Sequence, residues 1–220
     1  LDPEIPVLER PEMNEGGIMH NKFAVIDAHS PDAAKPVVWS GSTNLTFGQI
    51  YDDANNMIFI QDQSLAKAYQ LEFEEMWGST GDQPNEANAK FGAEKSDNTP
   101  HEFIVGGNRV ECYFSPSDGT NQQIIKAMGE ADNNLNVSTM LITRTDLALA
   151  ISEAKSKGVA VNVLTDREDG NSTTVNEILA EEIGVQNFLF DDEVAGIMHH
   201  KFAVIDNSKP EFDPVVVTGS

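Results

Sequence analysis

A single cysteine, Cys112, excludes an intrachain disulfide. It lies in the apolar run Val110-Glu111-Cys112-Tyr113-Phe114 and reads as a small buried strand residue. Long hydrophobic runs are also missing. Nothing approaches the ~18 consecutive apolar residues of a membrane-spanning helix, so no transmembrane segment is expected. Positive charge is scarce: 14 Lys and Arg stand against 36 Asp and Glu, a net charge of -22. The acidic residues run along most of the chain rather than forming a tail. Such a balance argues against broad nucleic-acid binding, which uses a basic face, and equally against adsorption to anionic lipid. No His, Cys and Asp cluster has the spacing of a zinc site. Neither Gly106-Gly107-Asn108 nor Asp169-Gly170-Asn171 has the Lys of a phosphate-cradling loop. No metal, no cofactor and no stable protein partner are therefore expected. An initiator Met and a signal peptide are absent, and the chain stops at Ser220 inside a motif, so it reads as part of a longer protein. The acidic composition suits an exported or cell-envelope bacterial protein; the compartment is otherwise open.

What is present is a repeat. The segment Gly17-Ile18-Met19-His20-Asn21-Lys22-Phe23-Ala24-Val25-Ile26-Asp27 returns as Gly196-Ile197-Met198-His199-His200-Lys201-Phe202-Ala203-Val204-Ile205-Asp206. The one difference is Asn21 against His200. Each copy is followed by an apolar stretch and Gly-Ser, at Gly41-Ser42 and Gly219-Ser220. Such near-identity over a polar trio set in an apolar frame means duplication, and polar residues facing inward from a strand need a reason.

Along the chain, residues 1–16 form a short lead-in. Phe23–Asp27, Val37–Ser40 and Met57–Gln61 are expected as strands. Asp62 opens a helix with Leu65, Ala66, Tyr69, Phe73 and Met76/Trp77 at helical spacing. From Gly78 to Glu102 the composition turns to Gly, Asn, Asp, Pro and Lys, a linker or long surface loop. Strands are then expected near Arg109–Phe114, Leu135–Met140, Val159–Leu164, Gln186–Phe190 and Met198–Asp206. Helices are expected near Thr120–Ala131, Asp146–Lys157 and Thr174–Ile183. This alternation predicts an α/β fold with a substantially parallel sheet. The predicted organisation is the back half of one unit (1–77), a linker (78–102) and the front part of a second (103–220), both truncated.

Phosphodiester cleavage needs an attacking group, a proton donor for the leaving alkoxide, and positive charge on the non-bridging oxygens. A neutral imidazole can attack phosphorus and form a covalent intermediate, and a protonated one can supply the proton. Two histidines in two copies of one motif meet that need without a metal. Lys22 and Lys201 lie two residues from His20 and His199, so on a strand each shares its histidine's face and can reach the same phosphate. Ser42 and Asn44 lie beyond the next strand as further hydrogen-bond donors.

His20-x-Lys22-x4-Asp27 followed by Gly41-Ser42-x-Asn44, and His199-x-Lys201-x4-Asp206 with Gly219-Ser220, resemble the motifs of the phospholipase D superfamily. Tyr113-Phe114-Ser115-Pro116 and the helix end Glu72-Phe73-Glu74-Glu75-Met76-Trp77 match as well. The resemblance implies an α-β-α sandwich with a central mixed, largely parallel sheet, two pseudo-two-fold halves and a shared site at their interface. It further implies a phosphohistidine intermediate and no metal. His20 and His199 would be nucleophile and general acid, with His20 taken as the nucleophile. Lys22, Lys201, Ser42, Asn44 and Ser220 would hold the phosphate, while Asp27 and Asp206 brace the motif. Two departures stand out. Where many relatives carry a Glu that orients the histidine, this chain reads Asn55-Asn56, with Asp52 and Asp53 nearby. The second motif lacks the Asn expected after Ser220.

His200 would face away from His199, and His29 and His101 read as solvated loop residues. The acidic run Asp191-Asp192-Glu193 reads as a solvated turn. The expected function is a phospholipase D-like phosphodiesterase acting on a phospholipid by hydrolysis or phosphatidyl transfer. The alternatives are a nuclease of the same superfamily and an inactive binding protein.

Overall fold

The computed structural model describes residues 5–9, 18–191 and 196–220. Most of the lead-in 1–16, Gly17 and the acidic residues Asp192 and Glu193 lie outside the described residues. In chain order the elements are β1 (Phe23–Ile26), β2 (Val37–Gly41), α1 (Phe47–Tyr51), β3 (Met57–Gln61), α2 (Gln63–Trp77), β4 (Glu102–Val105) and β5 (Asn108–Glu111). Then follow α3 (Thr120–Gly129), β6 (Asn134–Thr139), α4 (Thr145–Ser156), β7 (Ala160–Thr165), α5 (Thr173–Glu182), β8 (Phe188–Phe190), β9 (Lys201–Ile205) and β10 (Val215–Thr218). Residue contacts divide the chain into two compact units. One holds residues 1–39 and 58–120, the other 40–57 and 121–220.

The first unit is built on the three-stranded sheet β1-β2-β3. Helix α2 starts where Asp62 accepts the Leu65 amide at 2.8 Å, an N-cap that satisfies one of the helix's orphan N–H groups. Its Leu65, Ala66 and Ala68 are buried against Val38, Phe103, Cys112 and Phe114. The stretch expected as one strand at Arg109–Phe114 is the second arm of a hairpin, β4 pairing with β5 antiparallel. Gly106 and Gly107 turn it, both at positive φ, as a two-residue hairpin loop requires. The segment between Gly78 and Glu102 is irregular but lies along α2. Asn85 and Lys90 donate backbone bonds to the Trp77 and Glu75 carbonyls, and Phe91 is buried. Lys95 reaches Glu72, whose carboxylate is 1 % exposed and also takes the Asn21 amide at 2.9 Å.

The second unit contains a five-stranded sheet in the order β10-β9-β6-β7-β8. β6, β7 and β8 run parallel, whereas β9 pairs antiparallel with both β6 and β10. The sheet is therefore evenly mixed rather than largely parallel, because β9 and β10 join as a return to the edge. Leu135, Val137, Val161, Val163, Ala203 and Ile205 point to one face, packed on Ile151, Val175, Leu179 and Ile183 of the helical layer. Each fully buried side chain of this kind contributes about 1.5–3 kcal/mol. The opposite face carries Asn136, Asn162, Leu164, Leu189 and Phe202, which line a shallow groove. Helices α3, α4 and α5 supply Met128, Ile151, Val175 and Leu179 to the core of this unit.

Candidate active site

In the second unit, residues 52–56, at the entrance to β3, run beside residues 197–199, at the entrance to β9. Ala54 donates to the Ile197 carbonyl at 2.9 Å, and His199 returns a bond to the Ala54 carbonyl at 2.8 Å. Asp53 accepts the Ile197 amide at 2.8 Å and Asp166 accepts the Met198 amide at 2.7 Å. Four backbone bonds thus fix the chain on which His199 is mounted, and its residue is only 6 % exposed.

The imidazole is oriented by Asn55. His199 Nδ1 lies 2.9 Å from Asn55 Oδ1. The carboxamide can sit only one way round, because its Nδ2 faces the Gln49 carbonyl at 2.8 Å and a carbonyl only accepts. Ser42 Oγ donates to the same Oδ1 at 3.0 Å. Nδ1 therefore carries a proton, and Nε2 is the nitrogen turned toward Lys201, whose Nζ lies 3.1 Å away. His199 and Lys201 share the strand face, as alternation requires.

Asn56, one residue on, grips the lysine's backbone. Its Oδ1 accepts the Lys201 amide at 2.9 Å, and its Nδ2 donates to Thr218 Oγ1 at 2.7 Å. Thr218 in turn donates to the Lys201 carbonyl at 3.0 Å. Ser42 closes the network by accepting the Asn56 amide at 3.0 Å. The chain must pass very close here: a Cβ on Gly41 would collide with the Asn56 carbonyl oxygen. Ser42 is 0 % exposed, so its hydroxyl acts through Asn55 and Asn56. Asn44 is half-buried in the turn before α1, and Ser220 is exposed beyond β10.

The first copy of the motif belongs to the other unit. Lys22 is buried and donates to the His20 carbonyl at 2.9 Å, the same bond that Lys201 makes to the His199 carbonyl at 3.3 Å. Burial pushes the Lys22 ammonium below its ordinary pKa. Asp27 and Asp206 also match, since both adopt left-handed backbone, φ 54° and 53°. Asp27 is exposed. Asp206 is 3 % exposed, and it accepts the backbone amides of Asp132, Asn133 and Asn134 at 2.7–2.9 Å. Burial pushes its carboxyl pKa up, but the three amides outweigh it and hold the group below the usual carboxylate range. At ~3.3 Å per strand residue, Asp206 sits roughly 16 Å along β9 from Lys201 and braces the strand's far end.

The remaining histidines are engaged elsewhere. His200 packs edge-on against Phe202 on the face away from His199, at 5.3 Å between ring centres. Burial lowers its pKa, with Asp191 opposing. His29 is exposed near Glu74. His101 departs from the solvated reading. It stacks on Tyr113 and uses both ring nitrogens, toward the Cys112 carbonyl at 2.9 Å and Asp97 at 3.0 Å. Asp97, His101 and Asp118 bring their ligating atoms within 4.8 Å of one another. A protonated imidazole paired with Asp97 satisfies that cluster, and Asp118 is occupied by the Phe114 amide and Ser117. Asp166 and Thr218, which support the second motif, carry no signal in the sequence. The signal lies in Asn55-Asn56, with Asp53 nearby, where many relatives carry a Glu.

Against known proteins, a family model described as the cardiolipin synthase, PLD-like domain matches residues 3–77 and 124–220. A mitochondrial cardiolipin hydrolase of Chlamydomonas reinhardtii is 27% identical over 103 residues, covering 46% of this chain and 44% of that protein. The protein of the same name from Xenopus laevis is 39% identical over 61 residues, 28% of this chain and 26% of its own length. A phospholipase D of Rickettsia conorii is 26% identical over 115 residues, 51% of this chain and 52% of that protein. The chain thus spans about half the length, or less, of these curated relatives. Among solved structures, polyphosphate kinase from Porphyromonas gingivalis superposes with a TM-score of 0.54 at 9% identity, over 90% of this chain and 29% of that one. That likeness is one of fold alone. No described helix is long and apolar enough to cross a membrane.

Proposed function

The chain belongs to the phospholipase D superfamily, in the family of phospholipase D-like domains of the cardiolipin synthase type, and from that membership we propose that it cleaves phosphodiesters through a covalent phosphohistidine. The observation that carries this reading is the His199 setting. Its Nδ1 is hydrogen-bonded from behind by Asn55, and a lysine ammonium stands 3.1 Å from Nε2, where a phosphoryl oxygen would be held. Such a cation stabilises charge developing on the non-bridging oxygens. The other imidazole that the chemistry needs is the part the duplicated motif gives to His20, with Lys22 beside it. Lys22, Lys201, Asn44 and Ser220 are proposed as phosphate ligands, and Ser42 as a support for Asn55. No step calls for a metal ion.

The substrate proposed is a phospholipid, hydrolysed or transferred at its phosphodiester. The relatives' names, cardiolipin hydrolase and phospholipase D, support that choice. The test is turnover on vesicles of cardiolipin and of phosphatidylcholine, beside single-stranded DNA, with His20→Ala and His199→Ala variants. Lipid cleavage is expected, reduced about 100- to 10,000-fold in either variant. Cleavage of DNA without lipid replaces the lipid with nucleic acid. No cleavage of either, or variants equal to wild type, removes the reading.

A further inference from the structure

Resting on that reading, we propose that α1 and the turn before it form a lipid anchor. Leu45, Phe47, Ile50 and Tyr51 enter the apolar edge of a phospholipid surface and set the second unit's site at the headgroups. The four residues stand in solvent, at 77, 75, 51 and 72 % exposure. Helix α1 buries none of its five residues, and no side-chain bond caps its N-terminus. So short a helix is marginal in water by itself. Its large apolar side chains add little to folding, since it is area removed from water that stabilises. Phe47 and Tyr51, one turn apart, lean on each other with ring centres 4.7 Å apart and form a single apolar ridge.

Gln49 ties this ridge to the site. Its carbonyl accepts Asn55 Nδ2 at 2.8 Å, and Asn55 in turn meets His199 at 2.9 Å. The Gln49 carboxamide donates to Asp53, the residue that accepts the Ile197 amide. Phe47 and Tyr51 flank Gln49 two positions to either side, so the ridge and the imidazole are held by one hydrogen-bonded frame.

Charge and area favour lipid as the occupant. Residues 36–51 carry no charge, the longest such stretch in a chain of net charge -22. An acidic protein is repelled by anionic lipid, so its adhesion has to come from apolar insertion by a neutral segment. The exposed Asp52 that ends the stretch favours a zwitterionic surface over an anionic one. Phe and Tyr rings suit the boundary between headgroups and acyl chains, where a Tyr keeps its polar tip wet. The four residues expose on the order of 500 Å², a size at which an apolar patch marks an interaction site. A specific protein–protein contact takes about 800 Å² from each partner. The ridge alone is too small for a second copy of the chain, whereas a fluid lipid surface needs no matching shape.

Flotation with phosphatidylcholine vesicles tests this, using the full chain and its Phe47→Ser/Tyr51→Ser variant. Wild type is expected to float with the vesicles equally at low and at physiological salt, and the variant to bind at least tenfold less. Cleavage of vesicle lipid should fall by a similar factor. The variant's unfolding curve and its turnover of soluble bis(p-nitrophenyl) phosphate should match wild type, because both rings stand in solvent. A nitrobenzoxadiazole label on an introduced cysteine reads insertion directly. Cys112 takes no label, since it is buried and its thiol is pushed up to about 12. At Phe47→Cys the label should shift to the blue and be quenched by spin-labelled lipid. At Val185→Cys it should do neither, because that exposed residue precedes β8, at the end of the sheet away from the start of β9. Equal binding by variant and wild type, no binding by wild type, or an unquenched label at position 47 overturns the anchor. Lipid cleavage in that same preparation leaves the phosphodiesterase reading standing. Binding that depends on the two rings, with neither lipid nor the soluble ester cleaved, supports the anchor and removes the phosphodiesterase. A wild-type dimer that the variant turns into a monomer, without vesicle binding, gives the ridge to a second copy and overturns the lipid assignment.

Discussion

At the residue scale, the two copies of one motif have diverged through what surrounds them. His20 and His199 share a Lys two residues on and an Asp in left-handed backbone. Yet Asp27 is exposed where Asp206 is buried, and the His199 ring is bonded to Asn55 and to the ammonium of its own lysine. Asp206 shows what the motif's Asp does for the fold. A buried carboxylate that receives three backbone amides fixes the loop ahead of β6 to the end of β9. Asp206→Asn keeps the shape but turns an N–H group toward those amides, so a loss of about 1–3 kcal/mol is expected in urea denaturation. The pH dependence has a definite sign. Because the folded carboxyl lies below its ordinary value near 3.9, its contribution is complete above that value and lost as the pH falls through the lowered one. The variant should lack that acid slope.

At the element scale, α2 and the segment after it behave as one structure. Burial raises the pKa of Glu72, and the Lys95 ammonium with the Asn21 amide opposes the rise. Both partners of the Glu72–Lys95 pair are about as buried as a core leucine, with side-chain exposures of 2% and 3%. Removing one partner of such a pair leaves an uncompensated charge, which costs roughly 3–5 kcal/mol. Lys95→Met should therefore lower the stability of the first unit by about that amount at neutral pH. The deficit should shrink at mildly acidic pH, where Glu72 without its lysine takes up a proton and needs no counter-ion. Denaturation curves at the two pH values check both the size and the direction. The irregular composition of residues 78–102 gave no hint of this docking, because one buried lysine carries no periodicity. The periodic α2, α4 and α5 are legible within a residue or two, and β3 to the residue. Helix α1 is not: its five residues bury none of their side chains, so no apolar stripe marks it.

At the scale of the whole molecule, the net charge of -22 acts on every anionic substrate before any contact is made. The proposed phosphodiester substrates are anionic, so their association should be slowed by repulsion. Adding salt, which shortens the Debye length from ~30 Å at 0.01 M to ~8 Å at physiological strength, should raise kcat/KM for a soluble phosphodiester. A protein with a basic substrate groove would show the reverse. Initial rates across that range decide it, and a fall with salt would point to a local positive field strong enough to overcome the total charge.

The sequence by itself determined the family, the α/β class and the His-Lys pairs. Duplication, strand alternation and a polar trio in an apolar frame are local properties that survive without knowledge of the fold. Tertiary structure decided what those pairs are bonded to. Asn55 meets His199 across 144 positions of chain, and Asn56 meets Lys201 across 145. It also turned Ser42 inward, gave Asp206 to a distant loop and reversed β9 within the sheet. Contacts of that kind depend on which strands pair and in what register, and no spacing along the chain records them.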